Sequence, residues 1–118
     1  MDRKRNPTIA RLLVLAAAAV VLPGAAHAAD EMPVYQLVAK DGRFEPTTIE
    51  VAAGQRFKIE ITNAGKTPIE FESKELKQEK VLAPGAKSSV VINGLKAGEY
   101  KFVDEYHEAT AQGRIVAK

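Results

Sequence analysis

Two acidic segments hold most of the side chains that could do chemistry. Glu70, Glu72, Glu75 and Glu79 fall within ten residues, and Asp104, Glu105, His107 and Glu108 within five. Carboxylate oxygens joined by one imidazole suit a hard or borderline cation such as Fe²⁺, Mn²⁺, Cu²⁺ or Zn²⁺. Oxygen anions also stabilise a ferric ion over a ferrous one, because the higher charge gains more from them. The 118-residue chain contains no cysteine. Thiol catalysis, iron–sulfur ligation and every thiolate metal site are therefore excluded. The first segment has a plainer reading: Lys74, Lys77 and Lys80 are interleaved with its glutamates and would make it a solvated face. The second segment has only Lys101 and Arg114 nearby, so its carboxylates repel one another unless a cation sits among them.

The first 28 residues are set apart from the fold. Arg3, Lys4, Arg5 and Arg11 precede an apolar run from Leu12 to Leu22, Pro23 and Gly24 break it, and Ala26-His27-Ala28 offers a cleavage site. This is the layout of a secretory signal peptide, and the run is shorter than the ~20 residues a membrane-spanning helix needs. The expectation is a signal peptide over residues 1–28, a single domain over 29–118, and a periplasmic location. Of the 90 residues that remain, 37 are apolar, 13 are Lys or Arg and 14 are Asp or Glu, so the formal charge moves from +2 to −1. A nucleic-acid binder is not expected from that balance. The remaining domain keeps one histidine, His107, and one methionine, Met32. A three-histidine zinc site cannot be assembled within one chain.

Strands must position the acidic segments. Residues 33 to 118 show period-two patterning punctuated by turn residues, without a long amphipathic helical run. Phe57, Ile59 and Ile61 alternating with Lys58, Glu60 and Thr62 give the clearest strand. Further strands are expected over 33–39, 48–52, 69–72, 88–92, 100–103 and 114–117. Asp41-Gly42, Asn63-Ala64-Gly65, Pro84-Gly85, Asn93-Gly94 and Ala97-Gly98 mark turns. Residues 74 to 82 read equally as a short helix capped by Ser73 or as an irregular extended segment. The expected fold is an all-β Greek-key sandwich of seven to eight strands. Asp104 shares the parity of Tyr100 and Phe102, so it points to the rim of the core they fill, and Glu70 and Glu72 share one face.

Two stretches resemble the cupredoxin family. One runs Phe44-Glu45-Pro46, Ile49-Glu50-Val51, Gly54, the strand 57–61 and Asn63-Ala64-Gly65; the other runs Leu95 to Phe102, then His107, then Gly113 to Val116. The blue-copper ligands are mostly missing. Where the family has its first histidine this chain reads Thr67 to Glu72, the cysteine position is Asp104, and the methionine position falls near Ala111 or Gln112. His107 alone matches, so a type 1 copper site is excluded. A narrower resemblance rests on Glu70 to Leu76, Glu79-Lys80 and Phe102 to His107. It is similar to the cupredoxin-like periplasmic component of bacterial ferrous-iron permease systems.

That resemblance implies a small exported protein that binds copper and/or iron. It implies as partners a membrane iron permease and its other periplasmic components, for which the protein oxidises iron or hands it over. The expected metal ligands are Asp104, His107, Glu72 and Glu75, with Glu70 and Glu105 as supporting or alternative ligands and Glu108 beyond them. A homodimer would let two chains share a site. Two other classes stay open. One is a metal-free sandwich that docks a partner protein through its acidic rim. The other is a copper-loaded ferroxidase that passes electrons to a partner acceptor.

Overall fold

The computed structural model describes residues 31–118, so the expected signal peptide lies outside the described residues. Nine strands run in the order β1 (Val34–Lys40), β2 (Arg43–Glu45), β3 (Thr48–Val51), β4 (Phe57–Asn63), β5 (Ile69–Ser73), β6 (Gln78–Leu82), β7 (Lys87–Ile92), β8 (Gly98–Asp104) and β9 (Gln112–Ala117). A single 3₁₀ turn, η1 (Glu105–His107), follows β8. No helix among the described residues is long and apolar enough to cross a membrane. Two strands exceed the sequence expectation. The short β2 pairs antiparallel with β1 across the Asp41-Gly42 turn. The ambiguous 74–82 stretch resolves into a turn followed by β6, and the Ser73 hydroxyl accepts the Leu76 N–H at 3.4 Å without a helix following.

The strands form two sheets, β2-β1-β4-β7 and β3-β9-β8-β5-β6. β1 lies parallel to β4, and β3 parallel to β9. Parallel neighbours need crossover connections, which here carry the chain from one sheet to the other. The inward residues of each strand meet between the sheets: Leu37, Ile59, Ile61, Val90 and Ile92 from one, Ile49, Phe71, Phe102 and Ile115 from the other. β4 is the plainest case, since its expected alternation is matched by alternating burial along all seven residues.

At one end of the core, Phe44, Phe71 and Phe102 stack on one another. Phe44 meets Phe71 edge-on at 6.3 Å and Phe102 edge-on at 5.2 Å, and Phe71 and Phe102 lie 5.4 Å apart. Gly113 faces Phe102 across the β8–β9 pair. A methyl group there would fall 2.3 Å from the Phe102 ring and 2.9 Å from the Thr47 carbonyl oxygen. Only glycine leaves room for the ring that closes this end of the core.

Candidate metal centre

β5 reaches the site from a turn that one buried side chain fixes. Asn63, at the end of β4, donates from Nδ2 to the carbonyls of Thr67 (2.9 Å) and Leu82 (3.1 Å) and accepts the Gly65 N–H at Oδ1 (3.0 Å). Its own backbone is paired with Ala86 and Gly85. Both of its amide hydrogens and its side-chain oxygen thus hold the 64–68 turn against the β6 end. The Asn-Ala-Gly turn read from the sequence is therefore a clamp that delivers Ile69 and Glu70 in register.

The register then sorts the acidic residues by face. Phe71 lies opposite Asp104, and Glu72 opposite Val103 on β8 and opposite Glu79 on β6. Directly opposed residues share a face. Asp104 therefore goes inward with Phe71, while Glu72 and Glu79 go outward, joined by Glu70 on the same strand. Chain reversal into η1 brings Glu105 to the outward group. One carboxylate oxygen from each of Glu70, Glu72, Glu79 and Glu105 lies within 4.8 Å of the others. Of the expected ligands, the structure gathers Glu70, Glu72 and Glu105 and adds Glu79. Glu79 belongs to the acidic run but is not among the expected ligands, because residues 74 to 82 do not read clearly as a strand; a hairpin over residues 72 to 79 places it opposite Glu72.

The outward group is electrostatically strained. Glu72 is 9% exposed, and its Oε2 is buried without a hydrogen-bond partner. Glu72 and Glu79 form a like-charged cross-strand pair, an arrangement that destabilises a sheet. Hydrogen bonding to Glu72, and next to Glu70, holds the Glu105 carboxyl up at about 7 from its ordinary 4.5, with desolvation and the charges of the same two glutamates adding to it. A proton held between carboxylates is what this geometry favours when no cation neutralises them. The Tyr106 hydroxyl is raised as well, first by desolvation and then by the charge of Glu70.

The remaining expected ligands lie elsewhere. Asp104 is buried at 1% exposure, and its two oxygens are committed. Oδ1 accepts the N–H of Glu70 and of Tyr106, each at 3.0 Å, and Oδ2 lies 2.6 Å from Nδ1 of His107. The His107 side chain is 30% exposed and packs beside the Asp41-Gly42 turn, where a Gly42 β-carbon would come within 3.4 Å of its ring. Thr110 donates to the Gly42 carbonyl and ties the same turn down. Glu75 accepts the Lys101 N–H at 3.5 Å and faces Glu72 and Glu108 across a cleft of about 240 Å³ floored by Phe102 and Val103. The structure thus splits the expected set: a carboxylate–imidazole pair inside the sandwich end, and a glutamate group on the outer sheet face.

A blue-type copper ion needs a thiolate and, usually, an axial thioether. The position that resembles the cysteine ligand is a carboxylate already bonded three times, and the one near the methionine ligand is buried Ala111. Neither position offers a thiolate or a thioether, so the donor set does not fit such an ion.

The chain matches the cupredoxin-like domain model over residues 12–117, and it belongs to that family. An uncharacterized protein of Rickettsia prowazekii (strain Madrid E) is 33% identical over 87 residues, spanning 74% of this chain and 70% of that one. Reduced auracyanin from Roseiflexus castenholzii superposes with a TM-score of 0.61 at 12% identity, over 75% of this chain and 98% of that one. The metal-binding domain of a Cu(I)-exporting P-type ATPase of Streptococcus pneumoniae D39 does so with a TM-score of 0.64 at 14% identity, over 72% of this chain and 84% of that one. At such identities the likeness concerns the fold.

Proposed function

We propose that this chain is an exported, cupredoxin-fold metal-binding protein that serves a membrane ferrous-iron permease, holding the ion and handing it over. The observation that carries the reading is the convergence of Glu70, Glu72 and Glu105 from two separate segments onto one small patch. Carboxylates brought together against their mutual repulsion are suited to an ion that relieves it. The permease link rests on the resemblance of residues 70–80 and 102–107 to the periplasmic components of such systems. Copper bound by the family fold's usual sulfur ligand is outside this reading, since the chain has no cysteine.

Ferrous-iron uptake by cells lacking this chain tests the role. Uptake should fall, recover with the intact protein, and stay low with a Glu70→Gln/Glu105→Gln variant that is exported at the same level. Unchanged uptake in cells lacking the chain would remove the metal-handling reading, and full recovery with that variant would remove Glu70 and Glu105 from it.

One observation favours a second reading, a metal-free docking module. Val81, opposite Glu70 across the β5–β6 pair, is 60% exposed, and Tyr106 next to Glu105 is 52% exposed. An acidic patch edged by apolar side chains suits a basic protein partner. This reading requires a salt-sensitive complex that forms equally well in the presence of a chelator.

A further inference from the structure

We infer that Glu70, Glu72, Glu79 and Glu105 make an all-oxygen site on the outer face of the β5–β6–β8 sheet that takes a hard divalent cation in preference to Cu⁺. This site rests on the metal-handling reading above, and adds to it a fourth ligand, a place in the fold and a class of ion. It lies on the opposite face of the sheet from Asp104 and His107.

The first support is the buried oxygen. Glu72 Oε2 is buried with no hydrogen-bond partner, and its side chain belongs to the group that converges within 4.8 Å. A buried charged oxygen without a partner is rare in folded proteins and costly to keep. A cation at the centre of the group is the partner it lacks. The second is distance. Oxygens on opposite sides of an ion bound at about 2.4 Å stand about 4.8 Å apart, and the four carboxylates fall inside that limit. They meet it from three elements, β5, β6 and η1.

The third support concerns the lysines. Lys74, Lys77 and Lys80 are adjacent in sequence and could have neutralised the cluster. Among the described residues, the Lys and Arg ion pairs within 4.0 Å are Lys87–Glu60, Arg114–Glu99 and Lys118–Glu50. None reaches the four glutamates, so among the described residues no Lys or Arg pairs with the group within 4.0 Å. The fourth is ligand chemistry. Four carboxylates with neither sulfur nor imidazole favour hard cations and disfavour Cu⁺, which prefers thiolate and thioether.

The test uses Mn²⁺, whose free aqueous paramagnetic resonance signal collapses on binding, added to the metal-stripped protein. Cu⁺ buffered by a chromophoric chelator is run as competitor. We expect stoichiometric Mn²⁺ binding that Cu⁺ does not displace. Glu72→Gln and Glu79→Gln should each weaken it by about tenfold or more, and His107→Ala should leave it unchanged. Without metal, both glutamine variants should melt at or above the parent's temperature, because each removes a repelling charge; lost binding then cannot be lost folding. Mn²⁺ binding that survives both glutamine changes but disappears with His107→Ala would overturn the outer-face site and leave metal handling standing. Displacement of Mn²⁺ by Cu⁺ would overturn the ion class. Absence of binding by Mn²⁺, Fe²⁺ and copper alike would overturn this site and the proposed function together.

Discussion

Asp104 stands where the resemblance places a metal-ligating cysteine, and it has become a fastening. One oxygen holds the backbone of a candidate ligand, Glu70, and the backbone that follows another, Glu105. Asp104→Ala would leave two N–H groups and an imidazole without their acceptor, at a cost of about 3 kcal/mol or more. Asp104→Asn keeps an acceptor for the two N–H groups and should lose clearly less; urea unfolding of both variants measures the difference. Glu105 makes a second residue-scale prediction. Its folded-state carboxyl titrates at about 7 against an ordinary 4.5, so the native protein holds that proton more tightly than the unfolded chain. The stabilisation is complete below about 4.5 and is lost as pH rises through about 7. The melting temperature of the metal-free protein should therefore fall between pH 5 and pH 8. Glu105→Gln should flatten that fall, and a scan of melting temperature against pH reads it directly.

At the scale of elements, the site depends on how two hairpins and a turn are indexed. The β5–β6 register opposes Glu72 to Glu79; a slip of β6 by one residue would turn Glu79 to the core face. Ser73 guards that register at the far end of β5, with its hydroxyl donating to the Lys101 carbonyl at 2.7 Å. Asn63 guards the near end. Asn63→Ala removes the partner of two carbonyls and one N–H in a mostly buried setting, and should cost about 2–3 kcal/mol in denaturant unfolding. Gly113→Ala acts on the same end from the opposite side. Its methyl group collides with the Phe102 ring, so the ring must leave the Phe44–Phe71 stack, at a cost of about 1–3 kcal/mol. The change should also appear as altered near-ultraviolet dichroism from the displaced aromatics.

As a whole molecule, the domain keeps the cupredoxin sandwich with neither a disulfide nor a thiolate. Among the described residues, its stability rests on seventeen buried apolar side chains of one core. A metal bound only by the folded state adds to that stability by mass action. Saturating Mn²⁺ should raise the melting temperature, and excess chelator should reverse the rise without unfolding the protein. With Cu²⁺ the protein should stay free of intense blue colour at any loading, since that colour requires the thiolate this sequence lacks.

The sequence by itself determined the class of fold, the turn that Asn63 holds and the absence of a thiolate ligand. Each follows from local information: alternation of period two, turn residues at fixed places, and a count of cysteines. It also put Asp104 on the core side, because parity along β8 carries that much. It did not reveal β6, because Gln78-Glu79-Lys80 has weak strand preference and is held by pairing with β5. Without β6, Glu79 had no face and Glu75 stood as a ligand in its place. Only the tertiary structure decided which carboxylates meet, because sharing a site depends on cross-strand register and on the reversal of the chain at η1. Closeness in sequence put Asp104, Glu105 and His107 together; the pleat of β8 turned Asp104 inward, and the reversal at η1 carried Glu105 to the outer glutamates and left His107 on Asp104.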